Sequence, residues 1–110
     1  MEIVVFVTTK DKIQAETIAR RLVEEKLIAC ANIIDGIQSI FTWEGKIDES
    51  SEALIVIKTQ KKLFKKIEQR IKALHSYEVP EIIALPIVLG HKPYLNWVRS
   101  STSSEGGKKK

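Results

Sequence analysis

LIACANIIDGIQSIFTWEGKIDESSEALIVIKT, residues 27 to 59, decides the fold, because it places two long, mostly apolar segments on either side of one Glu-Gly pair. LIACANII, residues 27 to 34, has the β-branched and apolar content of a strand. Asp35-Gly36 marks a bulge or bend, and IQSIFTW carries the strand on to residue 43. Glu44 and Gly45 stand where a tight turn belongs, and KIDESSEALIVIKT returns as a third strand to Thr59. Glu-Gly is a weaker turn signal than Asn-Gly, so the loop length stays open. At about 3.3 Å per residue each of these strands reaches roughly 45 Å.

Their companion is shorter. IVVFVT, residues 3 to 8, reads as a buried strand spanning only about 20 Å. The hairpin must therefore overhang its sheet, carrying Ile37, Ile40, Phe41, Trp43 and Ile47 with it. A free two-stranded ribbon with exposed aromatics is marginally stable and prone to pairing, so a closed, cyclic homo-oligomer is the expected remedy.

Two helices complete the pattern. Asp11 offers an N-cap, and Ala15, Ile18, Ala19 and Leu22 repeat at helical spacing, predicting a helix over 12–26. Thr59 offers a cap for a second over 60–74, with Leu63, Ile67, Ile71 and Leu74 as its apolar stripe and lysines mostly outside it. IIALPIVL, residues 82 to 89, follows as a fourth strand, with Pro86 marking a sheet edge or bulge. Pro93 starts a short final helix over 93–98. The order βαββαβ is the ferredoxin-like α+β pattern, an antiparallel sheet with two helices on one face. Residues 1–99 read as one domain and 100–110 as a polar tail with too little to bury, whose deletion from residue 101 onward is expected to leave stability unchanged.

Composition narrows the function. The formal charge is +4, and half of it comes from the tail, where three lysines face one glutamate. So mildly basic a body argues against a dedicated nucleic-acid surface. A single Cys30 excludes an intrachain disulfide and a multi-thiolate zinc site, and it favours a reducing compartment. No apolar run has the length of a membrane span or the flanks of a secretory signal, which makes a cytoplasmic protein the expectation. Paired thiols of a metal chaperone, aromatic platforms of an RNA-recognition motif and a Gly-rich anion cradle are all missing from the places where the fold would need them.

The remaining polar residues gather in HSYEVPEI, residues 75 to 82. His75 ends the second helix, where the dipole favours an imidazolium, and Tyr77, Glu78 and Glu81 flank an extended Val79-Pro80. One imidazole with carboxylates is a poor catalytic signal but suits a weak divalent-metal site. Cys30, in an apolar strand, fits a small buried hydrophobe better than a reactive or ligating thiol. Trp43 and Trp97 fit packing anchors better than ligand platforms, and His91 fits a surface loop.

LIACANI, WEGKI, Lys58-Thr59, HSYEVPEI and YLNW, in this order and spacing, resemble the CutA family of divalent-cation tolerance proteins from about Ile3 to Trp97. The resemblance implies a ferredoxin-like homotrimer with hairpins paired between subunits, a link to copper tolerance, and an architecture similar to PII-type signalling trimers. It maps the recurring positions of the family onto Cys30, Trp43, Glu44, Lys58, His75, Tyr77, Pro80, Glu81, Tyr94 and Trp97. Some relatives carry a cysteine late in the first strand and adjacent histidines at the end of the second helix, residues to which a copper site is attributed. Here those positions are Val7 and Leu74, and Ser76 replaces the usual proline after the histidine. The expectation is thus a non-enzymatic trimer that binds Cu(II) or another divalent metal weakly. His75, Cys30 and Glu81 are its candidate ligands, and Trp43, Lys58, Tyr77, Glu78 and Tyr94 line a cleft between subunits. The alternative is a PII-like signalling or small-molecule-binding trimer.

Overall fold

The computed structural model describes residues 1–102. Its elements are β1 (Glu2–Thr9), α1 (Lys12–Glu24), β2 (Cys30–Trp43), β3 (Lys46–Gln60), a 3-10 turn (Lys61–Leu63), α2 (Phe64–Leu74), β4 (Ile82–Pro86) and α3 (Lys92–Ser101). All neighbours in the sheet are antiparallel, in the order β2-β3-β1-β4, which is the ferredoxin-like arrangement.

Alternation along the strands builds the core. Val5 and Val7 of β1 and Ala53, Ile55 and Ile57 of β3 point to one face, where Ala15, Ile18 and Leu22 of α1 and Ile67 and Ile71 of α2 cover them completely. Each valine, leucine or isoleucine among them contributes about 1.5–3 kcal/mol by leaving water. The opposite face is also apolar, with Val4, Phe6, Leu54 and Val56 partly covered and Ile34, Ile83 and Leu85 about half exposed. At one end of that face α3 is tied down: Arg99 pairs with Glu2 at 2.8 Å, and Gln60 donates to the Thr102 carbonyl at 2.6 Å.

The ends of α1 show what was and was not legible. Asp11 caps it as expected, its carboxylate accepting the Gln14 N–H at 2.8 Å. The helix stops at Glu24 rather than 26, because Lys26 takes φ 61° and the Lys26 and Leu27 N–H groups return to the carbonyls of Val23 and Leu22, both at 3.0 Å. That is a Schellman closure with lysine in the usual glycine position. The second strand accordingly begins at Cys30, and Leu27 and Ile28 are buried in the connection.

Three expectations are corrected here. Thr59 caps nothing: it lies within β3, fully buried, and its hydroxyl donates to the Leu27 carbonyl at 2.6 Å, so the helical region opens with the 3-10 turn instead. The fourth strand ends at Pro86, and Val88 and Leu89 are exposed beyond it. α3 runs on to Ser101 and closes on a fully buried Thr102, past the boundary expected at residue 99. The remainder of the expected tail, 103–110, lies outside the described residues. Pro86 does sit on an edge strand, as its missing N–H requires.

The hairpin carries two special conformations. Glu44 and Gly45, at φ 51° and 79°, form a two-residue turn between the paired Trp43 and Lys46, the type I′ pattern whose twist matches the strands. At Asp35-Gly36 the register shifts, so that two residues of β2 oppose Ala53 alone. A one-residue shift moves every later side chain to the other face. Ile37, Ser39, Phe41 and Trp43 are therefore paired with Glu52, Ser50, Asp48 and Lys46, on the face opposite Ile33 and the helices. Gly36, at φ 71°, supplies the left-handed backbone this bulge uses.

Candidate functional site

The connection from α2 to β4 passes the end of β1, where the hairpin leaves the sheet, and His75 fixes its path. The His75 backbone is extended while its N–H still reaches the Ile71 carbonyl at 2.8 Å. Its Nδ1 accepts the Tyr77 N–H at 3.0 Å, so the ring proton sits on Nε2, which donates to the Thr8 carbonyl at 2.7 Å. Both ring nitrogens are thus used to hold the turn, and the ring also lies 4.8 Å from that of Tyr77.

Tyr77 then reaches across to the hairpin, its hydroxyl donating to Glu52 at 2.7 Å. Burial pushes its phenol up to about 12, with the Glu52 carboxylate beside it adding to the shift. Glu81 accepts a long hydrogen bond, 3.5 Å, from the Thr8 hydroxyl. Between hairpin and connection lies a cleft of about 760 Å³, walled by Phe41, Trp43, Asp48 and Glu52 on one side and Tyr77, Glu78, Val79 and Glu81 on the other. The bulge at Gly36 is what turns Phe41 and Trp43 toward the face that Asp48 and Glu52 occupy.

The predicted site residues divide between this cleft and a second place. Trp43, Tyr77, Glu78 and Glu81 come together around it, and His75 stands behind it as the support of its wall. Cys30, Lys58 and Tyr94 do not join them. Cys30 and Lys58 are cross-strand partners beside Val4, four rungs from Thr8, or about 13 Å. There the Lys58 ammonium and, at 3.7 Å, the Cys30 thiol both donate to the Asn32 side chain. Burial, and secondly the Cys30 thiol beside it, push the Tyr94 phenol up. The Tyr94 ring stands 5.5 Å from Trp97. Neither tryptophan is a buried anchor in this chain: Trp43 is 61% exposed and Trp97 45%.

A tight copper site does not fit these residues. Among the described residues no three His, Cys, Asp or Glu side chains converge to hold a metal ion. His75 has no free nitrogen lone pair, and Cys30 lies in the other group. Sequence reasoning missed Asp48, Glu52 and Phe41 as cleft residues, since only the bulge brings their face to bear on Tyr77.

Among known proteins, the model of the CutA1 divalent ion tolerance protein family matches residues 3–101. The divalent-cation tolerance protein CutA of Thermus thermophilus is 49% identical over 102 residues, covering 93% of this chain and 99% of that protein. A solved CutA1 structure from the same organism superposes with a TM-score of 0.92 at 48% identity, covering 94% of this chain and all of that one. A third, described as the periplasmic divalent cation tolerance protein CutA of Archaeoglobus fulgidus, gives 0.87 at 42% identity over 89% of this chain and 95% of its own. No helix among the described residues is long and apolar enough to cross a membrane. The chain belongs to the CutA1 family of divalent ion tolerance proteins.

Proposed function

We propose that the protein is a non-enzymatic, cytoplasmic homotrimer that responds to divalent cations, copper among them, by taking them weakly at the hairpin cleft. The observation that carries this reading is the cleft itself, whose walls hold the carboxylates of Asp48, Glu52, Glu78 and Glu81 and no Lys, Arg or His. Carboxylates spread over a cavity of this size attract a cation without enclosing it, which is the chemistry of weak, exchangeable binding. The trimer rests on the overhang: among the described residues β3 has no neighbour on its β1 side before Ala53, while Ile40, Trp43 and Ile47 stand exposed on the distal ribbon. Another copy closing that edge satisfies both the free backbone groups and the apolar surface.

Calorimetry with Cu(II) tests it. Weak binding that drops in a Glu78→Gln/Glu81→Gln variant supports the reading. Affinity retained by that variant refutes it. Were His75 a ligand, His75→Gln would remove most copper binding; the engagement of both ring nitrogens argues instead for affinity near the parent's. A second reading has its own support. A cleft of about 760 Å³ with apolar walls and a few polar groups falls in the size range of small-molecule sites, as a PII-like signalling trimer requires.

A further inference from the structure

The 3-10 turn and α2, residues 61–74, hold Lys61, Lys62, Lys65, Lys66, Arg70 and Lys72 against the single Glu68, a surplus of five positive charges where the whole chain carries +4. Everything outside this segment sums to −1, so the mild average basicity of the chain conceals one strongly positive helix. Its neighbour α1 is different, since Lys12, Arg20 and Arg21 are nearly balanced there by Glu16 and Glu24. The fold does not neutralise the surplus either. Glu25 engages Arg70 at 2.7 and 2.8 Å, but none of the five lysines has an ion pair among the described residues.

Packing makes these lysines one surface. Leu63, Ile67 and Ile71 are buried against the sheet, and all five lysines are exposed on the outer side of the helix. Lys61 is held at the end of the body remote from the hairpin, its N–H donating to the Met1 carbonyl at 2.8 Å, and the 15-residue β3, about 50 Å long, separates it from the Glu44-Gly45 turn. The carboxylates gather at that other end: between residues 35 and 52, Asp35, Glu44, Asp48, Glu49 and Glu52 face only Lys46. The chain is thus polar along its length, and an extended anionic surface attracts the helix while it repels the ribbon. The surfaces assigned to the trimer, the ribbon and the free strand edge, lie elsewhere, and assembly through them leaves the helix open.

The kind of cation decides which anionic partner fits. Five of the six are lysines, and the one guanidinium, the group suited to gripping individual phosphates through a bidentate fork, is already engaged by Glu25. Compact ammonium charges on flexible stems suit a diffuse, fluid field of headgroups. The apolar side of α2 belongs to the core, so the helix offers charge to a surface and nothing to insert beneath it. A duplex groove calls for a helix that stands clear of its neighbours, whereas α2 lies in one layer with α1 over the sheet. We propose that the outer face of α2 docks the protein reversibly on an anionic lipid bilayer, with Lys61, Lys62, Lys65 and Lys66 at the headgroups and the acidic ribbon held away. About four to eight basic residues on an amphipathic helix suffice for such attachment, each adding roughly fivefold to the partitioning.

Cosedimentation of the full-length protein with vesicles tests this, in EDTA so that no metal bridges carboxylates to lipid. Binding is expected to phosphatidylcholine vesicles containing about 30% phosphatidylserine, and to fall steeply as NaCl rises from about 50 to about 300 mM. The variant Lys61→Gln/Lys62→Gln/Lys65→Gln/Lys66→Gln should weaken it roughly 100-fold, at exposed sites that carry no ion pair and pose no folding risk. Lys12→Gln/Lys108→Gln/Lys109→Gln/Lys110→Gln removes the same charge elsewhere and should weaken it less than about tenfold. Equal losses in the two variants make net charge responsible and overturn the proposal. So does equal binding to pure phosphatidylcholine, or no binding to the anionic vesicles at the lower salt. Binding of a double-stranded DNA oligonucleotide under conditions that leave the anionic vesicles unbound assigns the face to nucleic acid and overturns it as well.

Discussion

Strand β3 runs through two environments without a break. From Ala53 to Thr59 every second side chain is fully buried, whereas from Lys46 to Ser51 none is buried, and Ile47 is 81% exposed. Backbone pairing with β2 is the same in both halves apart from the bulge. What differs is the layer beneath: α1 and α2 cover the inner half, and nothing among the described residues covers the outer one. The inner half has the composition of a core strand, β-branched and alternating. The outer half, KIDESS, reads almost as a loop, and its neighbours IQSIFTW supply the aromatics of the cleft. One half thus secures the fold, and the other carries the site on a ribbon that the fold only anchors.

The largest expected effect separates the two halves directly. Ile57→Ala removes a fully buried side chain and should cost about 2–5 kcal/mol in denaturant unfolding, whatever the protein concentration. Ile47→Ala, at the exposed end, should change the unfolding free energy of the chain by under about 0.5 kcal/mol while making the proposed trimer dissociate at higher protein concentration. An equal, concentration-independent loss in both variants breaks the comparison.

Tyr77 bridges the halves, and its removal should have an intermediate effect. Tyr77→Phe leaves the buried Glu52 carboxylate without its donor, a loss of about 1–3 kcal/mol at neutral pH. The pH dependence has a definite sign. The phenol titrates near 10.0 when unfolded and near 12 in the fold, so the folded state holds this proton more tightly. The stabilisation it provides is complete below pH 10 and is lost as the pH rises toward 12. Urea denaturation of parent and Tyr77→Phe should therefore converge across that window; a constant difference would show that the phenol proton is not what joins hairpin to body.

Legibility in the sequence follows the same division. In the body, periodicity, the Asp11 cap, Pro86 at an edge and Pro93 at a helix start all translate directly into structure, because local preference and burial agree there. Thr59 misleads because a threonine before a helical stripe resembles a cap, while tertiary packing gives its hydroxyl the Leu27 carbonyl instead. Lys26 leaves no trace at all, since lysine at a left-handed helix end breaks the glycine rule. Around the site, the HSYEVPEI stretch is visible as a polar cluster, but its partners are not. Gly36 signals a bulge, yet only the register shows that the bulge moves Phe41 and Trp43 to the face of Asp48 and Glu52. The bonds from His75 to Thr8 and from Tyr77 to Glu52 span 67 and 25 residues, distances over which no local pattern speaks.

The smallest effect tests whether the outer ribbon opens by itself. Glu44 holds φ 51° in the turn, a left-handed conformation that costs an ordinary side chain roughly 1 kcal/mol and asparagine less. Glu44→Asn should therefore favour the hairpin by about 0.5–1 kcal/mol. Gly45→Ala should do the reverse by a similar amount. It does so through the backbone alone, since its φ is 79° and a Cβ there meets no atom within 4 Å. If the body and the ribbon are separate cooperative units, neither change reaches the global unfolding midpoint. Both should appear in hydrogen exchange, as slower exchange in Glu44→Asn and faster in Gly45→Ala at the strand amides between residues 37 and 52, with amides of β1 and the inner half of β3 unchanged. A midpoint that moves with either substitution means that the turn is coupled to the core, and that the two halves of β3 unfold as one.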